Sequence, residues 1–395
     1  MGSMGREGVR GGVFLSLGFR PFFLAAAVYA VLALALWVGT LSGAALLPGA
    51  WPPLAWHRHE MLFGLVAAIV AGFLLTAVPN WTGRRPLSGA RLAALVALWL
   101  AARMASLLVG HVPLLLAVLL DGGFLLVLAL WTGREILASG NRNLPVAFLI
   151  AFLGLADIGD YAGFAGGTAV ADVAYRFGLA VVLLLICLIG GRIVPAFTRN
   201  WLQQQERAGA LPAMFGHLDR MALLATGLAL LAWTMAPDAP ASGALLLLAG
   251  VFNGARLLRW VGWRTAAEPL LLALHLAYLW LPTGFLLLGF AAFLPSLSAS
   301  GALHALTAGA IGAMTLAVMT RASLGHSGRP LHAGPGTVTI LALVHAGALA
   351  RVLSPFWPEA YMRLLAISGT LWGGAYLLFA LIYGPLLLRH PRRSS

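Results

Sequence analysis

Histidines on apolar segments are the residues of this sequence best suited to bind a metal or a haem. The chain has 10 histidines, and five of them lie in or at the ends of long apolar runs: His57, His59, His275, His304 and His345. An ionisable side chain inside a membrane is costly, so each is by default a functional candidate. Iron in haem takes one or two imidazoles from facing helices. The alternative for His275 and His345 is a structural hydrogen bond to a neighbouring carbonyl.

Two of these histidines flank an arginine and precede a glutamate, in the order His57, Arg58, His59, Glu60. Because a helix turns about 100° per residue, His57 and His59 point to nearly opposite sides and are not expected to bind one metal together. They could serve two neighbouring sites, or His57 could belong to the preceding loop. Arg58 could pair with a haem propionate, and Glu60 could relay protons. The competing interpretation is that this group only caps an apolar helix at the headgroup level.

Other polar residues in apolar runs could carry protons or hold a ligand. Asp157 and Asp160 lie one helical turn apart and could form a proton or cation entry. Asp121 interrupts another run, where it could line a polar path or simply bond the backbone near the adjacent glycines. Tyr278 follows His275 by one turn and could donate a hydrogen bond to a ligand bound there.

The elements that must position these residues are membrane-spanning helices. Of 395 residues, 61% are hydrophobic and 9% are charged, with a mean hydropathy of +0.92; soluble domains carry about 25% charged residues. The composition therefore predicts an all-α polytopic membrane protein that forms one transmembrane domain over residues 1–395. Apolar runs long enough to cross a bilayer predict twelve spans, near 20–43, 59–80, 89–109, 112–131, 143–164, 173–196, 218–236, 241–258, 268–293, 301–322, 336–355 and 364–388.

The basic residues predict the orientation of these spans. The net charge of +13 comes from 25 arginines and no lysine, and the arginines are scattered in twos and threes, so nucleic-acid binding is not expected. Twenty of them fall on one side, which predicts cytoplasmic N- and C-termini, because short cytoplasmic loops are rich in basic residues. The five on the other side are Arg58, Arg103, Arg176, Arg351 and Arg363. For Arg103, Arg176 and Arg351 we expect snorkelling to the interface, and the alternative role is to bind a haem propionate.

Spans two and ten share a pattern that predicts an internal repeat. Gly64 and Gly309 both lie five residues after a histidine, His59 and His304 respectively, and both spans end in a similar Gly-Arg-Pro-Leu segment. Span six is a weaker relative with Tyr175 in the place of the histidine. Three repeats of a four-helix unit would resemble the core subunit of haem–copper oxidases. The alternative is that small-residue helices ending in Gly-Arg-Pro are common at membrane edges.

Several segments of the chain resemble the NnrS family. The resemblance rests on motifs spread from the first span to the loop after the tenth: Gly18–Phe23, His57–Gly64, Gly72–Gly83, Gly190–Asn200, His304–Thr307 and Met319–His326. It implies a multi-pass protein of the bacterial inner membrane that contains haem and copper and is linked to nitric oxide metabolism or tolerance. The family's ligand set does not follow from these motifs, so the ligands are inferred from topology.

The sequence thus predicts a haem-binding membrane protein that binds or reduces nitric oxide. His59 and His304 are the expected axial ligands of a b-type haem. His275 and His345 would bind haem or a second metal, for which copper is a candidate. Reduction would require an electron donor, which is not identified, and proton carriers, for which Glu60, Asp157 and Asp160 are the candidates. The alternatives are a secondary transporter of twelve spans with a broken helix at the midplane, and a non-catalytic sensor of haem or copper.

Overall fold

The computed structural model describes residues 12–389, and within them all twelve predicted spans are present as helices. Residues 12–389 contain no β-strand. Arg6, Arg10, His390, Arg392 and Arg393 lie outside the described residues. In chain order, α1 to α12 are Phe19–Leu41, Pro53–Thr82, Gly89–Leu107, Leu114–Ala138, Leu144–Ala165, Thr168–Gln204, His217–Met235, Pro240–Leu258, Pro269–Ala291, Ala299–His326, Pro335–Phe356 and Pro358–Leu388. The prediction of an all-α polytopic membrane protein is confirmed.

Helix α2 begins six residues before the apolar run that predicted it. Pro53 occupies its first turn, where a fixed φ suits the helix and the missing N–H costs nothing. The segment that contains His57 is therefore helical and is not a loop. The helix ends at Gly83, whose φ of 69° is a left-handed conformation that glycine adopts without strain.

Helices α2, α6 and α10 each contain a π-helical segment. These segments are Glu60–Val66, Ile186–Gly190 and Ala305–Ile311. Two of them begin directly after a histidine, His59 in α2 and His304 in α10. A π-helical turn contains one residue more than an α-helical turn, and this changes the direction of the side chains on either side of it. Such turns are frequent at functional sites. The threefold repeat of four-helix units stays a prediction.

Contacts between Cα atoms divide the chain into two compact units. The first unit is Met1–Gly178, Ala322–Arg329 and Tyr376–Ser395, and the second is Leu179–Arg321 and Pro330–Ala375. In the first unit, the buried side chain of Arg20 on α1 donates to the carbonyl oxygen of Leu387 at 2.9 Å. It thereby supplies a hydrogen-bond donor to the C-terminal end of α12, where the carbonyl groups lack a partner within the helix. The assignment of residues 1–395 to a single domain stays a prediction.

Small residues bring α8 and α9 into close contact within the second unit. A Cβ atom on Gly250 would lie 2.7 Å from Cγ of Leu286, and one on Gly289 would lie 2.9 Å from the carbonyl oxygen of Gly243. Without a hydrophobic driving force between helices in lipid, such close approach supplies the van der Waals contact that holds them together.

The close approach of α8 and α9 predicts that one glycine of α8 tolerates alanine and another does not. Gly250→Ala should lower the unfolding free energy in detergent by about 1–3 kcal/mol, because the added methyl overpacks the contact with Leu286. Gly254→Ala on the same helix is the matched control, since its Cβ would meet only Pro282 at 3.9 Å. It should be neutral or stabilising by up to about 1 kcal/mol. Equal destabilisation of both variants would contradict the assigned packing.

Candidate functional site

A buried histidine among carboxylates is the main candidate site of the first unit. His59, on α2, is 0% exposed. Its Nδ1 lies 2.9 Å from Oδ2 of Asp160 on α5, and its Nε2 lies 3.0 Å from Oδ2 of Asp121 on α4. Oδ1 of Asp157, also on α5, is 3.8 Å from the same Nε2. One imidazole on α2 therefore joins carboxylates from two other helices, α4 and α5.

The packing of α4 on α5 explains why these carboxylates meet. Gly122 follows Asp121, and a Cβ atom there would lie 2.3 Å from Cγ1 of Ile158, the residue after Asp157. Only a residue without a side chain allows this distance between the two helices. The approach brings Asp121 and Asp157 to the same side of His59.

Arg103 on α3 is the buried cation of this site. Its guanidinium is 4% exposed and donates to both Glu60 and Asp121. Tyr29 on α1 donates its hydroxyl to the same Glu60 oxygen. Gly64 makes room for this arrangement, since a Cβ atom there would lie 2.5 Å from Oε2 of Glu60 and 2.8 Å from Nη1 of Arg103. A buried charge is tolerated only when it is paired, and Arg103 pairs two.

Arg58 covers the site on its less buried side. It donates to Asp160 at 3.3 Å and to Asp172 at 2.5 Å, and its guanidinium lies over the ring of Tyr175. The Asp172 side chain is 50% exposed. The predicted role of Arg58 as a propionate partner would compete with these two carboxylates.

We call His59, Glu60, Asp121, Asp157, Asp160, Arg58 and Arg103 the His59 cluster. Its carboxylates are fully or almost fully buried, yet neither oxygen of Asp157 accepts a hydrogen bond. Trp51, Tyr161 and Phe63 enclose the His59 ring at centroid distances of 4.7, 5.0 and 5.3 Å. His59, Asp121 and Asp157 offer donor atoms that all lie within 4.8 Å of one another. The arrangement can hold a small cation or shared protons.

A porphyrin does not fit around His59. Both ring nitrogens face carboxylates, and aromatic side chains enclose the ring. A haem ligand needs open space for the porphyrin plane in front of its coordinating nitrogen, and here carboxylates of Asp121 and Asp160 occupy that space. The surroundings of His59 therefore give its predicted axial role no support.

His304 has the surroundings that a metal-binding histidine requires. Its Nδ1 donates to the carbonyl oxygen of Ser300, one turn earlier on α10, at 2.7 Å. Its Nε2 takes no part in this hydrogen bond, and the side chain is half-buried. Metal-binding histidines commonly donate their other N–H to a carbonyl or carboxylate, which leaves the lone pair for the metal.

The other predicted histidine ligands lie apart from these two. His57 stacks on Trp37 of α1 at 4.4 Å, on the other side of α2 from the His59 cluster, as the helical spacing predicts. His345 on α11 accepts a hydrogen bond from the indole of Trp280 at its Nδ1, at 3.0 Å. In this tautomer the proton is on Nε2, so His345 has no lone pair for a metal.

His275 on α9 is bound to a hydroxyl. Thr198 donates to the carbonyl oxygen of Val194, so its oxygen accepts from His275 Nε2 at 2.8 Å. The remaining lone pair, on Nδ1, is buried without a partner and faces Gly262, where a Cβ atom would lie 2.5 Å away. This close backbone leaves little room for a haem at Nδ1.

Tyr278 belongs to a separate buried polar cluster of the second unit. Its hydroxyl donates to Asn253 Oδ1 at 2.7 Å and accepts from Arg256 at 3.2 Å. Arg256 also donates to Asp219 at 2.7 Å and to the carbonyl oxygen of Cys187 at 2.9 Å. Tyr278 thus makes these hydrogen bonds with residues other than His275. The arrangement of arginines along the sequence predicts that Arg256 is a cytoplasmic residue at the end of a span, but its side chain is fully buried on α8.

Arg103 is the residue of the His59 cluster whose role the sequence does not reveal. Snorkelling was the expected role, but its guanidinium points inward to Glu60 and Asp121. A clue was available in the sequence, because the chain has 12 acidic residues and several of them interrupt apolar runs. Buried carboxylates require a buried cation, and Arg103 is placed within such a run.

Removing the Arg103 charge should destabilise the protein much more than removing an exposed arginine. Arg103→Met leaves two buried carboxylates unpaired and should cost about 3–5 kcal/mol of unfolding free energy. The control is Arg84→Met, because Arg84 is 41% exposed and binds only Glu135; its cost should be about 0–1 kcal/mol. Chemical unfolding of both variants in the same detergent measures the difference. Equal stability of the two variants would show that Arg103 is solvated.

Comparison with known proteins places the chain in a family. No curated protein matches it. The family model of the NnrS protein matches residues 13–392, nearly the whole chain. The resemblance seen in the motifs is confirmed, and the chain belongs to the NnrS family.

Proposed function

We propose that this chain binds haem within the membrane and binds or reduces nitric oxide there, in support of nitric oxide tolerance. Family membership makes it a membrane protein related to nitric oxide. Its twelve apolar helices are those of a multi-pass membrane protein, which we assign to the bacterial inner membrane. Nitric oxide is small, neutral and soluble in lipid, so its entry requires no charged funnel.

The observation that carries the proposal is the hydrogen bond of His304. Because Nδ1 donates to Ser300, the Nε2 lone pair is available as an axial ligand. Arg351 donates to Ser354 at 3.0 Å and to Ser300 at 3.5 Å, which places a cation near His304 that could pair with a propionate. A haem bound here would supply an iron that binds nitric oxide.

Reduction of nitric oxide would also need electrons and protons. Two molecules of nitric oxide take up two electrons and two protons to give nitrous oxide and water. The electrons would come from a donor that remains to be identified. The carboxylates predicted to carry protons, Glu60, Asp157 and Asp160, are brought together in the His59 cluster. Their role as proton carriers stays a prediction, as does a copper site.

The helices do not favour the transporter alternative. That alternative predicts a helix broken near the midplane, with unwound backbone that lines a binding site. Within residues 12–389, each of the twelve spans runs through without an unwound segment.

Haem binding is tested by a variant of the proposed ligand. His304→Ala, expressed with sufficient haem, should lose at least about 90% of its Soret absorbance per chain, because the iron loses an axial imidazole. His111→Ala is the matched control, since His111 is exposed in a turn, and it should keep its full absorbance. A parent protein without a Soret band would overturn haem binding. Equal haem in the two variants would overturn His304 as the ligand.

Turnover is tested separately from binding. The purified protein in liposomes, with a chemical reductant and no oxygen, should consume nitric oxide if it is an enzyme. A protein that shifts its Soret band with nitric oxide but consumes none would be a sensor. In both cases His304→Ala should abolish the response.

A further inference from the structure

The His59 cluster carries more negative than positive charge. Its four carboxylates are Glu60, Asp121, Asp157 and Asp160, each no more than 1% exposed. Its two arginines provide two positive charges, so two negative charges are left without a cation when His59 is neutral, even before Asp172, which shares Arg58, is counted. Ionised carboxylates in a medium of low dielectric constant are too costly to remain unpaired. The cluster therefore needs a further cation or protons.

The uncompensated charge is located at Asp157. Asp157 is fully buried, and no donor reaches either of its oxygens. Asp160, by contrast, is bonded to His59 and Arg58, and Asp121 to Arg103 and Tyr161. Asp157 Oδ1 points instead toward the Nε2 edge of His59, at 3.8 Å. A positive group between them would satisfy the only carboxylate of the cluster that lacks a hydrogen bond.

The spacing of the donor atoms suits a metal ion. Two ligand atoms at about 2.1 Å from a metal are about 3.0 Å apart at a right angle and about 3.4 Å apart at a tetrahedral angle. His59 Nε2 lies 3.0 Å from Asp121 Oδ2 and 3.8 Å from Asp157 Oδ1. All three donors lie within 4.8 Å of one another. Asp157 accepts no hydrogen bond that would hold its side chain in place, so it can turn toward an ion bound by His59 and Asp121.

The residues around these donors orient them as partners of a metal site do. Asp160 accepts from Nδ1 of His59, so an ion that replaces the proton between Nε2 and Asp121 would be bound by the Nε2 lone pair. This carboxylate–histidine–metal order is common around protein-bound metals. Tyr161 donates to Asp121 at 2.9 Å, and Arg103 donates to the other Asp121 oxygen. Both hold that carboxylate in place.

We propose that His59, Asp121 and Asp157 bind one divalent cation that prefers nitrogen and oxygen ligands, such as Mn²⁺, Fe²⁺ or Zn²⁺. One imidazole and two carboxylates suit these ions and do not suit Cu⁺, which prefers sulfur ligands. The two charges of the ion equal the surplus of the cluster. The ion joins α2, α4 and α5. None of its ligands is His304, so its binding does not depend on haem binding.

The test measures binding of Mn²⁺ to the full-length protein in detergent after treatment with EDTA. Electron paramagnetic resonance of the free ion should show one Mn²⁺ bound per chain, and Zn²⁺ should displace it. Asp157→Asn should weaken binding at least about 100-fold, because it removes a charged ligand. This variant should still fold, because the Asp157 oxygens accept no hydrogen bond.

Two further variants show whether the ion is bound at this place. Asp160→Asn should weaken Mn²⁺ binding by about 10- to 100-fold through the orientation of His59. Asp172→Asn is the matched control, because this half-exposed carboxylate contacts Arg58 and none of the proposed ligands; binding should stay within about 3-fold of the parent.

The outcomes separate this proposal from that for haem. His304→Ala should bind Mn²⁺ as the parent does, whether or not it has lost haem. A stripped parent protein that binds neither Mn²⁺ nor Zn²⁺ would overturn the metal site and would indicate that protons balance the charge. Equal binding by the parent and Asp157→Asn would overturn these ligands.

Discussion

The ion pairs of Arg103 are the interaction on which the first unit depends. A guanidinium buried in an apolar helix is costly by itself, and so are the carboxylates of Glu60 and Asp121. Together they form charge-assisted hydrogen bonds that pair all three groups, and they join α2, α3 and α4. Because removal of Arg103 leaves two buried carboxylates without their cation, these pairs favour one arrangement of the three helices. The position of His59 follows from that arrangement.

Close helix packing makes these pairs possible. Gly64 leaves space beside Glu60 and Arg103, and Gly122 allows α4 to approach α5 next to Asp121. The π-helical segment that begins at Glu60 directly follows His59, so the local winding of α2 changes where the site is built. The cluster combines polar groups that could not be buried singly with small residues that bring them within hydrogen-bonding distance.

The hydrogen bond on one imidazole nitrogen decides what the other nitrogen can do. His304 donates from Nδ1 to a carbonyl and retains a lone pair, whereas His345 accepts at Nδ1 from Trp280 and carries its proton on Nε2. His59 is held by a carboxylate at each nitrogen. These three histidines all lie in apolar spans, yet the hydrogen bonding of their ring nitrogens differs from one to the next. The proposal of a haem at His304 and the proposal of a metal ion at His59 therefore rest on different contacts.

The sequence by itself determined the helices and the family. Runs of apolar residues long enough to cross a bilayer predict the twelve spans, because an unpaired backbone in lipid must close its hydrogen bonds within a helix, and the motifs around His57–Gly64 and Gly190–Asn200 indicate the NnrS family. The angle between His57 and His59 on a helix also predicts correctly that the two side chains have different surroundings.

Only the tertiary structure decided which charges meet. Arg20, Arg103 and Arg256 look like interfacial or cytoplasmic arginines in the sequence, yet all three are buried with partners far away along the chain. Hydropathy records the cost of a charge in a span but not the partner that offsets it. That partner depends on which helix faces which, and helix contacts are set by small residues and close packing between segments remote in sequence.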